Sequence, residues 1–359
     1  LDIDAETGYF SDGITEEILS QLSELKALHV LASNSSFAFR NSQEGPAEIL
    51  QKLGVRYLLQ GSIRRDQDHV RVTARLIDEK GFQVWSEQFD RELQGIFAIQ
   101  TEIASTVASQ VVNEIVPLAQ LPEGRTTENM EAYDAYLVGK AFLEKRTPNW
   151  RDQAIAAFEK AIELDPGFAP PYAGLANATT VMREPANPLW EEGKRLAEKA
   201  IELDPELAEG HAALGLVHMA QRSLHPASLS LRKAIDLNPS LGIAYNVLGF
   251  TLSRMGQDEE ADAVRRRGLA VDPLNPPLVN NIAWVEVAAG NYERGEQLLL
   301  RLLSLPEPPQ LVYGSLTNLY FSLGQFVDAL DMAKQATRVF TQHGEYCCND
   351  LLAWTYSAL

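Results

Sequence analysis

The residues whose spacing first suggests chemistry are two glycines near the start of this 359-residue chain. Gly8 and Gly13 have the separation found in loops that cradle phosphates. Such a loop needs a lysine that reaches the phosphates, but Ile14 occupies the corresponding position. No strand precedes the glycines within these residues, so a coincidental spacing is the better interpretation.

Two histidines could in principle hold a metal. His211 and His218 are seven residues apart and would share one face of a predicted helix. Thirty-four residues later, however, the equivalent positions are Tyr245 and Leu252, which are bulky packing residues. We therefore interpret both histidines as structural and predict no metal site.

Paired carboxylates and thiols are the remaining candidates. Asp66 and Asp68 flank a predicted hairpin turn, where acidic residues commonly stabilise the turn, and no second acid or base is fixed beside them. The two cysteines, Cys347 and Cys348, are adjacent, and neighbouring Cα atoms about 3.8 Å apart are too close for an ordinary disulfide. We interpret them as thiols near a helix start, with a strained vicinal disulfide or a metal site as alternatives. The sequence therefore predicts no catalytic residue and no cofactor in this chain.

Charge and hydropathy exclude two further classes of function. The formal net charge of −18 argues against a large footprint on nucleic acid or on an anionic lipid surface, because both need clustered lysine and arginine. Even the apolar run near position 300 is short and carries Arg301, so we predict no membrane span in these residues. The first residue is Leu1 and the last residues lie in an apolar stretch, from which we expect a piece of a longer protein.

A repeated hexapeptide indicates how most of the chain is built. AIELDP ends at Pro166 and again at Pro205, and looser copies end at Pro239 and Pro273, so the spacings are 39, 34 and 34 residues. A period of 34 residues with small residues at fixed places predicts stacked helix pairs. We interpret the hexapeptide as punctuation, in which alanine packs closely, the acidic residues face water and proline ends the helix.

The 34-residue pattern also locates the individual repeats in the chain. Six repeats and a truncated seventh fit the pattern, with insertions between the helices of the first two units. The third unit fits without gaps at His211, Leu214, Gly215, His218, Ala227, Leu231, Ala234 and Pro239, and the seventh begins at Leu352, Ala353 and Tyr356.

The first third of the chain has a different pattern. A helix is predicted over Ser11–Leu25, a β-type run at 28–36, and a second helix from Pro46 to about Gly54. Three strands follow from Tyr57, separated by turn-forming residues, and alternation of apolar and polar residues at 70–76 predicts a sheet with one buried face. A last helix closes the unit near residue 112, and a leading strand upstream would complete a mixed sheet.

Six phrases in this first third resemble one known family. YFSDGITEEI, SSFAFR, LGVRYLLQGSIRR, VRVTARLID, VWSEQFDR and IFAIQTEIA are similar to the TolB-like (FlgO-like) domain of bacterial signalling proteins, over roughly the first 110 residues. The 34-residue units resemble tetratricopeptide repeats. The resemblance implies that the TolB-like domain lies between an N-terminal output domain with a membrane helix and C-terminal repeats. That output domain would be a class III adenylate or guanylate cyclase, a CadC-type winged-helix regulator or a protein kinase.

The sequence and the resemblance together predict the architecture. We expect an α+β domain with a mixed sheet and helices at 1–116, a linker at 117–130, and an all-α tetratricopeptide-repeat solenoid at 131–359. The resemblance makes the solenoid right-handed. An enzyme site at the junction around 117–127 is an alternative, but that stretch has linker composition and offers no nucleophile with a base.

The inner side of the first helices is the predicted binding surface. In the tetratricopeptide scheme it displays the residue after the bulky position and residues one and two turns later. Asparagine side chains there can both donate to and accept from an extended peptide backbone, and aromatic residues can hold apolar side chains. The alternative is that each residue packs or faces water. The candidate residues are Asn177, Asn246, Phe250, Asn280, Trp284 and Asn318.

From this we expect a non-catalytic sensory and protein-interaction region of a bacterial signalling protein, with a nucleotide cyclase as the first choice of upstream domain. A CadC-type regulator and a stand-alone scaffold are the alternatives. The expected partner is a protein or peptide, and a homo-oligomer is possible in principle. An upstream membrane helix would place these residues in the periplasm, and without one they are cytoplasmic.

Overall fold

A computed structural model describes residues 8–23, 25, 28–40, 42–66, 69–92, 96–112, 127–145, 149–180, 189–305 and 308–342. Within these ranges an N-terminal unit of helices and strands precedes an array of helix pairs, which confirms the predicted fold class. The elements of the N-terminal unit are α1 (Gly8–Ser23), α2 (Ser33–Phe37), α3 (Pro46–Leu53), β1 (Tyr57–Asp66), β2 (His69–Asp78), β3 (Gln83–Glu92) and α4 (Ile96–Val112).

Six helix pairs follow in the described residues, and we call the members of each pair the first and the second helix. The first helices are α5 (Met130–Lys145), α7 (Ala169–Thr180), α9 (Ala208–Ala220), α11 (Gly242–Arg254), α13 (Pro276–Ala288) and α15 (Gln310–Ser322). The second helices are α6 (Trp150–Leu164), α8 (Leu189–Leu203), α10 (Leu224–Leu237), α12 (Asp258–Val271), α14 (Tyr292–Leu303) and α16 (Phe326–Gln342).

Helix α3 begins and ends where its sequence predicts. Pro46 fits the first turn because its missing N–H has no partner there in any helix, and the Glu48 side chain accepts the Gly45 N–H at 3.2 Å. Gly54 ends the helix in the left-handed conformation, at φ 70°.

The three described strands form an antiparallel sheet in the order β1-β2-β3. The Asp78 side chain accepts the N–H groups of Lys80 and Phe82 at 3.0 and 2.9 Å and so closes the β2–β3 turn, where Gly81 has φ 84°. On β2 the predicted alternation is confirmed, because Val70, Val72, Ala74 and Leu76 are all buried while Arg71 and Arg75 are exposed. A leading strand upstream stays a prediction.

The buried face of the sheet packs against α1 and α4, and the first repeat extends the same core. Ile14 of α1, Phe89 of β3 and Ile103 of α4 are almost completely buried in it. Tyr133 and Leu137 of α5 belong to the same cluster. The N-terminal unit and the repeat array therefore share one hydrophobic core, although the linker predicted at 117–130 lies mostly outside the described residues and the domain boundaries stay predictions.

The strand predicted at 28–36 is wrong. Residues 28–32 are extended without pairing to the sheet, and residues 33–37 form α2. The apolar and β-branched composition of this stretch favours a strand, but its hydrogen-bonding groups are satisfied elsewhere. The Ala32 N–H donates to the Val271 carbonyl at 2.8 Å, so the segment pairs with the repeat array.

Repeats one to three each end with a turn that an acidic or amide residue closes. In three turns the side chain after the second helix accepts the N–H two residues later, and so stabilises the change of direction. These bonds join Asp165 to Gly167 at 2.9 Å, Asp204 to Glu206 at 2.9 Å and Asn238 to Ser240 at 3.0 Å.

Residues 28–40, which we call the strap, lie along the edge of the array formed by these turns. The Ser240 hydroxyl donates to the Val30 carbonyl at 2.7 Å and accepts from the Ser23 hydroxyl at 2.9 Å. Further along, Leu31 and Phe39 pack against the apolar cluster of repeats five and six. The N-terminal unit thus follows the array from its first repeat to its fifth and sixth.

No helix among the described residues is long and apolar enough to cross a membrane.

Candidate protein-binding surface

The first helices of successive repeats lie side by side and form one face of the array. On this first-helix face, α11, α13 and α15 carry few charges. Arg254 is the charged residue of α11 and Glu286 that of α13, and α15 has none. The second helices of the same repeats, α12, α14 and α16, carry seven, four and four charged residues. Charge is therefore segregated onto the second helices in repeats four to six.

Glu286 is buried and paired, whereas Arg254 keeps an exposed positive charge at the C-terminal end of α11. Glu286 is 8% exposed, and its carboxylate accepts from Asn291 Nδ2 at 2.9 Å and pairs with Arg294 Nε at 3.2 Å. The Arg254 guanidinium lies 5.7 Å from the centre of the Phe250 ring, within the range of a cation–π contact. The middle of the first-helix face is therefore apolar and amide in character.

Side chains join the first helices across this face. Asn281 Nδ2 of α13 donates to Asn246 Oδ1 of α11 at 2.8 Å, and Ser315 Oγ of α15 donates to Asn280 Oδ1 of α13 at 2.5 Å. The Nδ2 groups of Asn246 and Asn280 have no partner among the described residues, so each amide keeps donor capacity for a ligand. The face is thus both cross-linked and able to form further hydrogen bonds.

The structure brings some of the predicted site residues together. Asn246, Phe250 and Asn280 lie on the neighbouring helices α11 and α13, and Phe250 is 43% exposed. Trp284 is half-buried and packs against the apolar cluster of repeats five and six, and Asn318 is exposed on α15. Asn177 lies on α7, two first helices before α11, and is half-buried. That these six residues bind a partner stays a prediction.

Sequence reasoning missed three residues of this face. Ile243 is 37% exposed and lies one turn before Asn246, so it extends the apolar surface beside Phe250. Asn281 and Ser315 supply the bonds between helices. Helical spacing could have identified Ile243, because Asn246 and Phe250 follow it at i+3 and i+7 and share its helix face. Nothing local in the sequence indicates the bonds of Asn281 and Ser315, which join side chains about one repeat apart.

The histidine at the bulky position of the third repeat is structural, as predicted. His211 Nε2 lies 2.9 Å from the Pro205 carbonyl. The tyrosines at the same position in the second and fourth repeats make the equivalent bond, at 3.1 Å from Tyr172 Oη to Pro166 O and at 2.9 Å from Tyr245 Oη to Pro239 O. In repeats two to four the residue at this position therefore ties the first helix to the preceding turn.

His218 lies further along the same helix and is half-buried. Burial first, and then the positive charge of Lys194, lowers its pKa, so the imidazole is neutral near pH 7. Among the described residues there is no group of three histidine, cysteine, aspartate or glutamate side chains that could hold a metal ion.

The other candidates for chemistry have structural places or cannot be described. Gly8 and Gly13 lie in helix α1, not in a loop, and a Cβ at Gly13 would come 2.2 Å from Leu137 Cδ2, so this glycine allows α1 to approach α5. Asp66 ends β1, and Asp68 lies outside the described residues. The two cysteines, the truncated seventh repeat and residues 117–126 of the alternative enzyme site lie outside them as well.

A tetratricopeptide repeat family model matches residues 149–168, which comprise α6 and the turn after it. The stacked helix pairs and this match define the class: the array is of the tetratricopeptide type, an architecture whose extended surface serves protein–protein interaction. The TolB-like resemblance of the N-terminal unit stays a prediction.

Two curated proteins are similar to the chain. The Rhizobium meliloti (strain 1021) protein named "Putative adenylate cyclase 3" is 35% identical over 175 residues, which cover 48% of this chain and 30% of that protein. Superkiller protein 3 of Schizosaccharomyces pombe (strain 972) is 23% identical over 257 residues, or 62% of this chain and 18% of that one. The chain therefore spans less than a third of the length of either relative.

Among solved structures, that of Pseudomonas aeruginosa PilF is similar with a TM-score of 0.43 and 20% identity, and covers 60% of this chain and 95% of its own.

Proposed function

We propose that this chain is the non-catalytic regulatory region of a bacterial adenylate or guanylate cyclase, and that it binds a protein partner on the first-helix face of repeats four to six. The observation that carries the binding proposal is the segregation of charge, which leaves an exposed apolar and amide surface on a strongly acidic chain. The relative from Rhizobium meliloti supports the cyclase assignment.

The geometry of the face favours an extended segment with apolar side chains and few charges. Ile243 and Phe250 offer apolar contacts, and the amides of Asn246 and Asn280 can pair with a peptide backbone. Neighbouring packed helices are about 10 Å apart, so α11 to α15 span about 20 Å, the length of about six extended residues. An acidic segment could pair only with Arg254 at the end of α11, and a charged segment of either sign would lose hydration over the apolar and amide centre of the face.

The test is a fluorescence anisotropy titration with three sets of ten-residue peptides, rich respectively in apolar and amide residues, in acidic residues and in basic residues. We expect the first set to bind, and to bind almost equally at low and high salt, because few charges face the ligand. Phe250→Ala should remove this binding. The matched control is Val327→Ala, which truncates a residue that is 73% exposed on the second helix α16.

Two results would count against the binding proposal. One is preferential binding of the acidic or basic set with strong salt dependence, and the other is binding of the apolar set that Phe250→Ala leaves unchanged. The cyclase assignment has a separate test, the adenylate and guanylate cyclase activity of the full-length gene product. An upstream winged helix in place of a cyclase domain would favour the transcription-regulator alternative.

Placement in the cell is part of the same proposal. A membrane helix upstream of a cyclase-linked region would put these residues in the periplasm, and a full-length product without such a helix would leave them in the cytoplasm. Accessibility of residues on the array to a membrane-impermeant label, in cells with an intact inner membrane, distinguishes the two.

A further inference from the structure

The turn between repeats four and five differs from the other turns. By analogy with the turns after Asp165, Asp204 and Asn238, the Leu274 N–H should donate to the side chain of Asp272. Instead it donates to the Ser35 hydroxyl oxygen at 3.0 Å, and the Ser35 hydroxyl donates to Asp272 Oδ1 at 2.6 Å. In the turns after repeats one to three the side chain accepts the backbone N–H directly, whereas here a hydroxyl group from the strap lies between the two.

The inserted hydroxyl lies in a polar cluster that is buried except for Asn34, which is exposed. Ser35 and Asp272 are both 0% exposed, and Asn275 is 6% exposed. The second carboxylate oxygen, Asp272 Oδ2, accepts from Asn275 Nδ2 at 2.8 Å and from Asn34 Nδ2 at 3.3 Å. This burial corrects the interpretation that the acidic residues of the repeat signature face water, because the carboxylate of Asp272 is held by donors from both the strap and the array.

The Leu274 N–H and Asp272 Oδ1 have hydrogen-bond partners while Ser35 lies between them, and they could pair with each other if Ser35 left. If Ser35 withdraws, Asp272 Oδ1 can accept the Leu274 N–H directly, as Asp204 accepts the Glu206 N–H at 2.9 Å. Withdrawal would therefore leave neither the N–H nor that carboxylate oxygen without a partner, which removes the main cost of breaking a buried polar contact. The Leu274 N–H and Asp272 Oδ1 therefore have a partner with the strap docked, as observed, and would also have one with the strap withdrawn.

We propose that Ser35 and the turn at Asp272 form a reversible latch, which fastens the N-terminal unit to the boundary between repeats four and five. The other hydrogen bonds of the strap at this boundary are the buried backbone bond from the Ala32 N–H to Val271 O at 2.8 Å and the bond from the exposed Asn34 Nδ2 to Asp272 Oδ2 at 3.3 Å. The latch goes beyond the proposed function and does not depend on it.

The latch is directly connected to the first-helix face. Gly242 begins α11, and a Cβ there would lie 2.5 Å from Asp272 Oδ2, so helix α11 packs against the carboxylate without space between them. The same helix carries Asn246 and Phe250. A small shift of α11 therefore changes the position of the group that holds the strap, and release of the strap removes two of the three side chains that hold the carboxylate.

The test compares hydrogen–deuterium exchange of the Ala32 and Leu274 amides in the full chain and in two variants. Ser35→Ala removes the inserted hydroxyl. Asp272→Asn keeps an acceptor for the Leu274 N–H, as Asn238 shows for Ser240, but places an NH₂ group opposite the amides of Asn34 and Asn275. The control is Ser36→Ala, whose hydroxyl contacts the Ala32 carbonyl of its own turn at 3.5 Å.

If the contact is a latch, both variants should raise exchange at Ala32 roughly tenfold or more, the equivalent of one lost hydrogen bond, while Leu274 stays protected. The urea midpoint of Ser35→Ala should equal that of the original chain. The control should exchange like the original chain.

Two outcomes would overturn the proposal. If Leu274 loses protection together with Ala32 and the urea midpoint falls, Ser35 is an ordinary core residue whose loss opens the turn. If exchange at Ala32 is unchanged in both variants, the hydroxyl does not hold the strap.

Discussion

Asn281 of α13 donates a 2.8 Å hydrogen bond to the side-chain carbonyl of Asn246 on α11, and so ties two neighbouring repeats together across the proposed binding face. Ser315 and Asn280 repeat this arrangement between α15 and α13. Because each asparagine uses only part of its hydrogen-bonding capacity in these bonds, the same side chains can fix the spacing of the helices and contact a ligand.

Replacing Asn281 with alanine should weaken binding more than it weakens the fold. The lost bond is partly solvent-accessible, so we expect the free energy of unfolding to fall by about 1 kcal/mol or less. Peptide affinity should fall further, because the Asn246 side chain loses the partner that orients it. Urea unfolding and anisotropy titration measure the two effects. Asn318→Ala, whose side chain is exposed and makes no hydrogen bond to another described residue, is the control for stability.

Removing the Tyr245 hydroxyl should destabilise the array by about 1 kcal/mol, since Tyr245→Phe leaves the Pro239 carbonyl without this donor. Tyr245 is 2% exposed. The matched change Tyr172→Phe removes the same bond in a repeat where it is exposed to water, and should cost less. Equal losses in the two variants would mean that burial does not set the strength of this bond.

Adding a methyl group at Gly215 should destabilise the third repeat. A Cβ there would lie 2.5 Å from Leu231 Cγ, and Leu231 is completely buried, so Gly215→Ala must displace a core side chain at a cost of about 1–3 kcal/mol. Leu231→Ala removes the clashing Cγ and Cδ2 atoms, so the double variant should be more stable than the sum of the two single losses predicts. Additive losses by urea unfolding would contradict this packing.

The sequence alone predicted the structure correctly where that structure depends on residues nearby in the chain or on the repeat period. The alternation at 70–76 and the ends of α3 follow from local spacing, and the structural role of His211 follows from the 34-residue repeat period. The strap does not, because Ser35 and Asp272 are 237 residues apart and their bond leaves no periodic signal. Residues 28–36 therefore predict a strand when read alone, because nothing local shows that their partners lie in the array.

The pH dependence of stability should show the burial of Asp272. Desolvation raises the pKa of its carboxyl group, and the hydrogen bonds from Ser35, Asn275 and Asn34 oppose that rise only in part. A carboxyl group whose folded-state pKa is raised contributes stability that is present below its unfolded pKa, near 3.9, and is lost as the pH rises through the folded value. The groups that hold this carboxylate are hydroxyls and amides, so no charged partner reverses the sign.

The difference in unfolding free energy between the original chain and Asp272→Asn should therefore decline as the pH rises from about 4 towards neutrality. Urea unfolding at a series of pH values measures this difference, and subtraction of the variant cancels the other carboxylates. A difference that grows with pH would show that the hydrogen bonds outweigh desolvation. Asp204→Asn, at the equivalent turn of the second repeat, is the matched control.

The strap also has a mechanical consequence for the array. A stack of helix pairs behaves as an elastic body that can bend towards either edge, since each repeat contacts only its neighbours. Here the strap is fastened along one edge at Ser240, Val271 and Asp272. Helix α3 of the same N-terminal unit is attached further along, where Arg301 donates to the Lys52 carbonyl at 3.2 Å. That edge cannot lengthen without breaking these attachments, so a pull along the array must open the opposite edge first, and the strap gives the deformation a direction.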